Sequence, residues 1–270
     1  YIMVKVDKKY NFLKPIKSSN LIRLGREADG GYVVDSKIIE QCKNLISFGM
    51  GFDWTFELDY LKQNSNTKIH IYDHSVSSYP YIKNIFKYLR RFLTLRCKFK
   101  DFHQRVKYYQ NYLKFINKKN ILLYKEKINH PIQNKNETDI DKVFKRIQEK
   151  EDVIIKCDIE GFEYKVTEQI MNFSSRIRMI IFEFHLIEKN EKEFFKIIEK
   201  LKIFFDIIHI HGNNHNKQLA SGMPCDLEIT FLNKKFSKKT AEYSYEFPIK
   251  NLDFPNNPYK EDIFFSFTKD

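Results

Sequence analysis

Apolar positions gather in seven short runs, separated by stretches in which they recur every three or four residues. The runs are 44–48, 68–72, 120–124, 152–157, 178–185, 206–211 and 226–232. Each is too short for a helix and rich in Ile, Val, Phe and Tyr, which predicts strands buried on both faces. Helical spacing predicts helices over 36–43, 54–61, 81–93, 102–115, 140–148, 162–171 and 192–204. Asp29-Gly30-Gly31 between apolar stretches predicts a hairpin turn.

Strands alternating with helices predict an α/β fold, a mostly parallel open sheet with helices on both faces. No helical pattern separates the last two strands, so they are expected as an antiparallel pair at one edge. Seven strands closed by such a pair is the architecture of Rossmann-like methyltransferases. Ligands of these sheets lie beyond the carboxyl ends of the strands. Gly49, Asp73, Asp158, Glu160, His185, His211 and Asn213 are all expected there.

The first strand runs into Gly49-Met50-Gly51, and the second ends in Asp73-His74. Strand, glycine turn, helix, strand and acid is a nucleotide-type cofactor layout, with the acid about 20 residues on to meet ribose hydroxyls. The third glycine of a dinucleotide fingerprint is missing, which suits a cofactor without phosphates such as S-adenosylmethionine. An ordinary strand-to-helix turn is the bland alternative. Arg26 and the Asp29–Tyr32 turn are candidates to close the pocket.

Composition sharpens this picture in three places. Twenty-five Phe and 16 Tyr among 270 residues exclude a disordered chain. The four cysteines, Cys42, Cys97, Cys157 and Cys225, form no metal spacing and read as reduced thiols of a cytoplasmic protein. No run is long and apolar enough for a transmembrane helix, no signal peptide is visible, and Tyr1 suggests a trimmed chain. The net charge of +12 is concentrated between 80 and 120, where twelve Lys or Arg face the single acid Asp101. Such a block calls for phosphate, nucleic acid or an anionic membrane surface. A solvated charged face is the alternative. Residues 1–24 are expected as an N-terminal arm, 80–120 as a basic helical insertion, and 243–270 as an irregular tail, all within one domain.

Lys156-Cys157-Asp158-Ile159-Glu160-Gly161-Phe162-Glu163 is the most specific string. Three carboxylates at a strand end are costly unless something binds them, although Glu163 also suits a helix first turn. The string resembles the signature of FkbM-type methyltransferases, and Arg23 to Val33 is similar to a segment of some members. The resemblance implies methyl transfer from S-adenosylmethionine to a hydroxyl, often on a sugar or other small metabolite. It implies that Gly49 and Gly51 frame the methionine part, Asp73 the ribose, and Asp158 the reacting methyl. Ser47 stands where an acid is common in methyltransferase turns, leaving Asp158 or Asp29 to supply the charge.

A sugar hydroxyl needs a base or a metal. His185 is the first expectation for the base, with His211 in reserve, because histidine titrates near neutrality. Asp158, Glu183 and His185 together offer ligands for a divalent ion, and plain hydrogen bonding explains them equally. Asn213, Asn214, His215 and His211 are expected beside the substrate. Lys83, Lys87, Arg90, Arg91 and Arg96 are expected to draw a phosphate- or nucleotide-linked sugar or a lipid-linked glycan, as in surface polysaccharide biosynthesis. Three alternatives stay open: an RNA methyltransferase, a non-catalytic scaffold of the same fold, and a metal-dependent hydrolase using Asp158 and Glu160.

Overall fold

The computed structural model describes residues 2–237 and 246–268. Its central sheet has seven strands: β1 (Asn44–Phe48), β2 (Lys68–Tyr72), β3 (Ile121–Tyr124), β4 (Val153–Cys157), β5 (Ile177–Phe184), β6 (Phe205–Gly212) and β7 (Leu227–Asn233). Their spatial order is β3-β2-β1-β4-β5-β7-β6. β1 to β5 run parallel, and β7 lies antiparallel between β5 and β6. The expected edge pair is present, with its second strand inserted next to β5.

Successive strand residues serve opposite faces, as the period of two requires. Ile46, Ile155 and Ile180 join one core with Phe144 of α5 (Ile140–Lys145), Val166 of α6 (Glu163–Met171) and Phe194 of α7 (Ile187–Phe204). Leu45, Ile154 and Ile181 join the other, with Ile38 of α1 (Ser36–Glu40) and with Phe56 and Tyr60 of α2 (Thr55–Gln63). Burial on both faces explains why these strands read as unbroken apolar runs.

The basic segment forms two helices, α3 (Tyr79–Leu93) and α4 (Phe99–Ile116), between β2 and β3. They fold back on one another: Tyr81 stacks on Tyr112 at 4.6 Å, and Phe92 meets Phe99 at 5.6 Å. The root of this hairpin rests on the loop after β1, where the Tyr108 hydroxyl donates to the Phe52 carbonyl at 2.6 Å.

Residues 21–24 and 32–35 pair antiparallel, as the Asp-Gly-Gly turn requires. The stretch expected as an arm is not loose. Val4–Lys5 pairs with Phe265–Ser266, and Tyr10 and Leu13 are fully buried. Of the expected irregular tail, Glu246–Phe247 and Phe265–Ser266 pair with each other; 243–245 and 269–270 lie outside the described residues. All four cysteines are free. Among the described residues no helix is long and apolar enough to cross a membrane.

Candidate active site

A cavity of about 430 Å³ opens beyond the carboxyl ends of β1, β2 and β4. Gly49, Met50 and Gly51 form one wall, Asp73 and His74 a second, and Asp158 and Glu160 a third. Arg26, Asp29 and Gly30 of the hairpin close it from above. All seven residues expected at the cofactor therefore line one cavity.

Backbone conformation sets the turn. Gly49 has φ +75°, and a Cβ there would stand 1.7 Å from the Asp158 carbonyl oxygen, so β1 and β4 approach as closely as only glycine permits. Gly51 has φ +60°, and a Cβ there would meet nothing within 4 Å. The Gly51 amide donates to Asp73 Oδ2 at 2.7 Å, while Asp73 Oδ1 accepts from the Ser75 amide and hydroxyl, each at 2.7 Å. Asp73 is thus fixed, with acceptor capacity left for hydroxyl groups.

Ser47 is not a wall of the cavity. It is fully buried and donates at 2.6 Å to Glu57 of α2, so the helix supplies a carboxylate behind the turn. Burial raises Glu57 above the usual carboxylate range, against the opposing pull of Lys156 and Ser47. Lys156, buried on β4, donates to the Gly49 carbonyl at 2.8 Å. Burial works against its charge, but Glu57, Asp158 and Glu183 outweigh that and raise it.

Behind Asp158 lies a second buried cluster. The Tyr32 hydroxyl is 2.8 Å from Asp158 Oδ2 and 3.0 Å from Glu183 Oε2. A single hydroxyl proton therefore stands between two carboxylates. Burial, together with the Asp158 charge, pushes Glu183 well up, against the opposing pull of His185 and the Asn213 bond. Asn213 donates to Glu183 Oε1 at 2.6 Å. His185 Nδ1 is 3.2 Å from Glu163 Oε1, and its Nε2 is 3.7 Å from Glu183, 3.7 Å from Glu160 and 3.9 Å from Asp158. Burial opposes a charge on His185, but the Glu163 bond and the Glu183 and Asp158 carboxylates prevail and lift it to about 10.

The expected base, His185, is thus set among four acids that favour its charged form. His211 is no reserve: it is fully buried between Glu228 at 3.2 Å and Asp262 at 3.3 Å. Asn213 supports Glu183 rather than facing a substrate, and Asn214 ties the 257–261 loop through three carbonyls. Arg90 and Arg91 lie on α3 and do not line the cavity. Glu160 is largely exposed and has φ +55°, a strained position for a residue with a side chain.

Lys156 and Glu57 escaped sequence reasoning as site residues, and Tyr32 was expected only as part of the turn that closes the pocket. Lys156 carried one signal, a lone cation inside the apolar run 153–157. Asp158, Glu183 and His185 bring ligand atoms within 4.8 Å of one another, so a divalent ion there would have to displace the His185 proton.

The fold places this cavity where such sheets bind ligands. The family model of the FkbM methyltransferase domain matches residues 101–212, from α4 through β6. That match bears out the resemblance drawn from the Lys156–Glu163 string. It supports methyl transfer as the chemistry of this chain and implies S-adenosylmethionine as the cofactor. Among solved structures, a fibrillarin/Nop5p complex is similar at 11% identity over 71% of this chain and 72% of that one, with a TM-score of 0.39. Precorrin-6y C5,15-methyltransferase from Geobacter metallireducens is similar at 10% identity, over 73% and 84% of the two chains, with a TM-score of 0.38. A predicted O-methyltransferase from Agrobacterium tumefaciens follows at 8% identity, over 77% and 84%, with a TM-score of 0.35. Scores this low add nothing to what the strand order already shows. No curated protein matches the sequence.

The residues present suit S-adenosylmethionine. The volume lies in the range of small-molecule sites, Gly51 leaves open space, and Asp73 keeps acceptor capacity for ribose hydroxyls. Met50, Phe52 and Phe162 offer apolar contact.

Proposed function

We propose that the chain is an O-methyltransferase acting on a hydroxyl of a sugar or glycan precursor, one linked to a phosphate, nucleotide or lipid carrier. The observation that carries this reading is the single cavity in which the Gly49–Gly51 turn, Asp73 and Asp158 converge. When bound, S-adenosylmethionine supplies an activated methyl group. Gly49, Met50 and Gly51 would hold its methionine part and Asp73 its ribose.

The chain's remaining task is to align an acceptor oxygen and take one proton from it. We assign that role to Asp158, supported by its position in the cavity wall and by the Tyr32 bond to one of its oxygens. The His185 cation, 3.9 Å away, compensates the negative charge and holds the cluster together. A neutral hydroxyl acceptor suits a site whose base is a carboxylate backed by a cation.

The test is transfer of labelled methyl from S-adenosylmethionine to a panel of sugar nucleotides, lipid-linked sugars and RNA. Label on a sugar hydroxyl, retained with chelator present, supports the reading. Label on RNA alone overturns it in favour of RNA methylation. Activity that appears only with a divalent ion assigns Asp158, Glu183 and His185 a metal-binding role.

A further inference from the structure

The α3–α4 hairpin is larger than the cavity needs. Its root packs on Phe52, while α3 carries the chain about 22 Å away at 1.5 Å per residue. At the far end, residues 94–98 join the helices, and there the surface changes character. Leu93 is 71% exposed, Leu95 92% and Phe99 59%, and Phe86 is 64% exposed two turns earlier on α3. Large apolar side chains gathered in the open mark an interaction surface.

The setting of these side chains identifies the partner. Arg90, Arg91, Arg96, Lys98 and Lys100 flank them along the chain, and all five are exposed. Asp101, the one acid of the segment, is occupied with the Lys98 amide at 3.0 Å. On α3 the residues 82, 86, 89 and 93 fall on one stripe, with 83, 87, 90 and 91 along its flank. Apolar tips flanked by cations fit the boundary between anionic headgroups and acyl chains. A second copy of this chain would bring like charge against like. RNA would reward stacking rings; Phe86 and Phe99 offer them, but the most exposed side chains of the tip, Leu93 and Leu95, are aliphatic.

We infer that the tip of this hairpin docks on an anionic lipid bilayer, inserting Leu93, Leu95 and Phe99 while the flanking Arg and Lys residues meet the headgroups. The α3 root then holds the cavity mouth near the membrane surface, within reach of a lipid-anchored acceptor. The docking itself does not depend on the reading of the cavity.

Flotation of the full chain with vesicles tests this directly. The chain should float with phosphatidylcholine containing phosphatidylglycerol and stay behind with phosphatidylcholine alone, at about 0.1 M salt. Leu93→Ser/Leu95→Ser and Arg90→Gln/Arg91→Gln should each weaken partitioning by about tenfold or more. All four positions are exposed, so circular dichroism should report unchanged folding. Absence of flotation would overturn the inference, as would binding that ignores the leucine variant. So would RNA binding tighter than vesicle binding, or a dimer abolished by the leucine variant.

Discussion

Replacing Lys156 by Met removes one buried charge and nearly nothing else. The methionine stem fills most of the same space, and only the ammonium is lost. In the native chain that ammonium lies in the interior with Glu57 and Asp158 as counter-charges and donates to the Gly49 carbonyl at 2.8 Å. Among the described residues no carboxylate oxygen stands within 4 Å of the ammonium, so the roughly 3–5 kcal/mol lost when a contacting buried ion pair is broken is an upper bound here. Glu57 can escape part of that cost by taking a proton, since burial already raises it. The lost bond to Gly49 adds about 1 kcal/mol. The expected net loss is therefore about 3 kcal/mol. Urea unfolding at neutral pH measures it, for Lys156→Met, Glu57→Gln and the double variant. The double variant should lose about 1 kcal/mol or more less than the sum of the single losses. Strict additivity, or a Lys156→Met loss below about 1 kcal/mol, would show that the attraction between these two buried charges does not hold the turn.

Three further outcomes are expected. Gly49→Ala forces a Cβ into the Asp158 carbonyl oxygen at a positive φ, so it should destabilise the fold by about 2 kcal/mol or more and weaken cofactor binding, both readable by thermal shift with and without ligand. Asp158→Asn should lower kcat about a hundredfold or more while changing cofactor affinity much less; equal losses in both would assign Asp158 to binding alone. His211 is raised in the folded chain, because Asp253, Asp262 and Glu228 outweigh burial. A raised histidine stabilises fully below its unfolded value of about 6.5 and loses that contribution as pH rises through its folded value. His185, lifted to about 10, carries the same sign. The unfolding midpoint should fall as pH rises above neutrality, and His211→Gln should flatten part of that slope; an unaltered slope would contradict the buried cation.

The sheet was legible because double-sided burial leaves a direct trace: runs such as 44–48 and 153–157 have few solvent positions to interrupt them. The edge pair was legible too, since 212–226 has no helical spacing. The arm was misread for a physical reason. Tyr10 and Leu13 are two anchors among lysines, and the segment is held by distant parts of the chain: Tyr10 meets Phe195, and 4–5 pairs with 265–266. The cavity walls were readable because glycine turns and strand-end acids sit at fixed places relative to the sheet. The charge states were not. A histidine looks the same in sequence whether it stands in water or among Asp158, Glu160, Glu163 and Glu183, and only the fold brings those four acids around His185. His211 was misplaced likewise: the end of β6 lies beneath the 253–262 segment, which covers it.

The most direct test of the account is calorimetric titration of S-adenosylhomocysteine into the chain and into Asp73→Ala, each with and without magnesium. Binding in the micromolar range by the native chain, weakened about tenfold or more in the variant, is the predicted result. No binding by folded protein in either condition would contradict the assignment of the cavity and the methyl transfer built upon it.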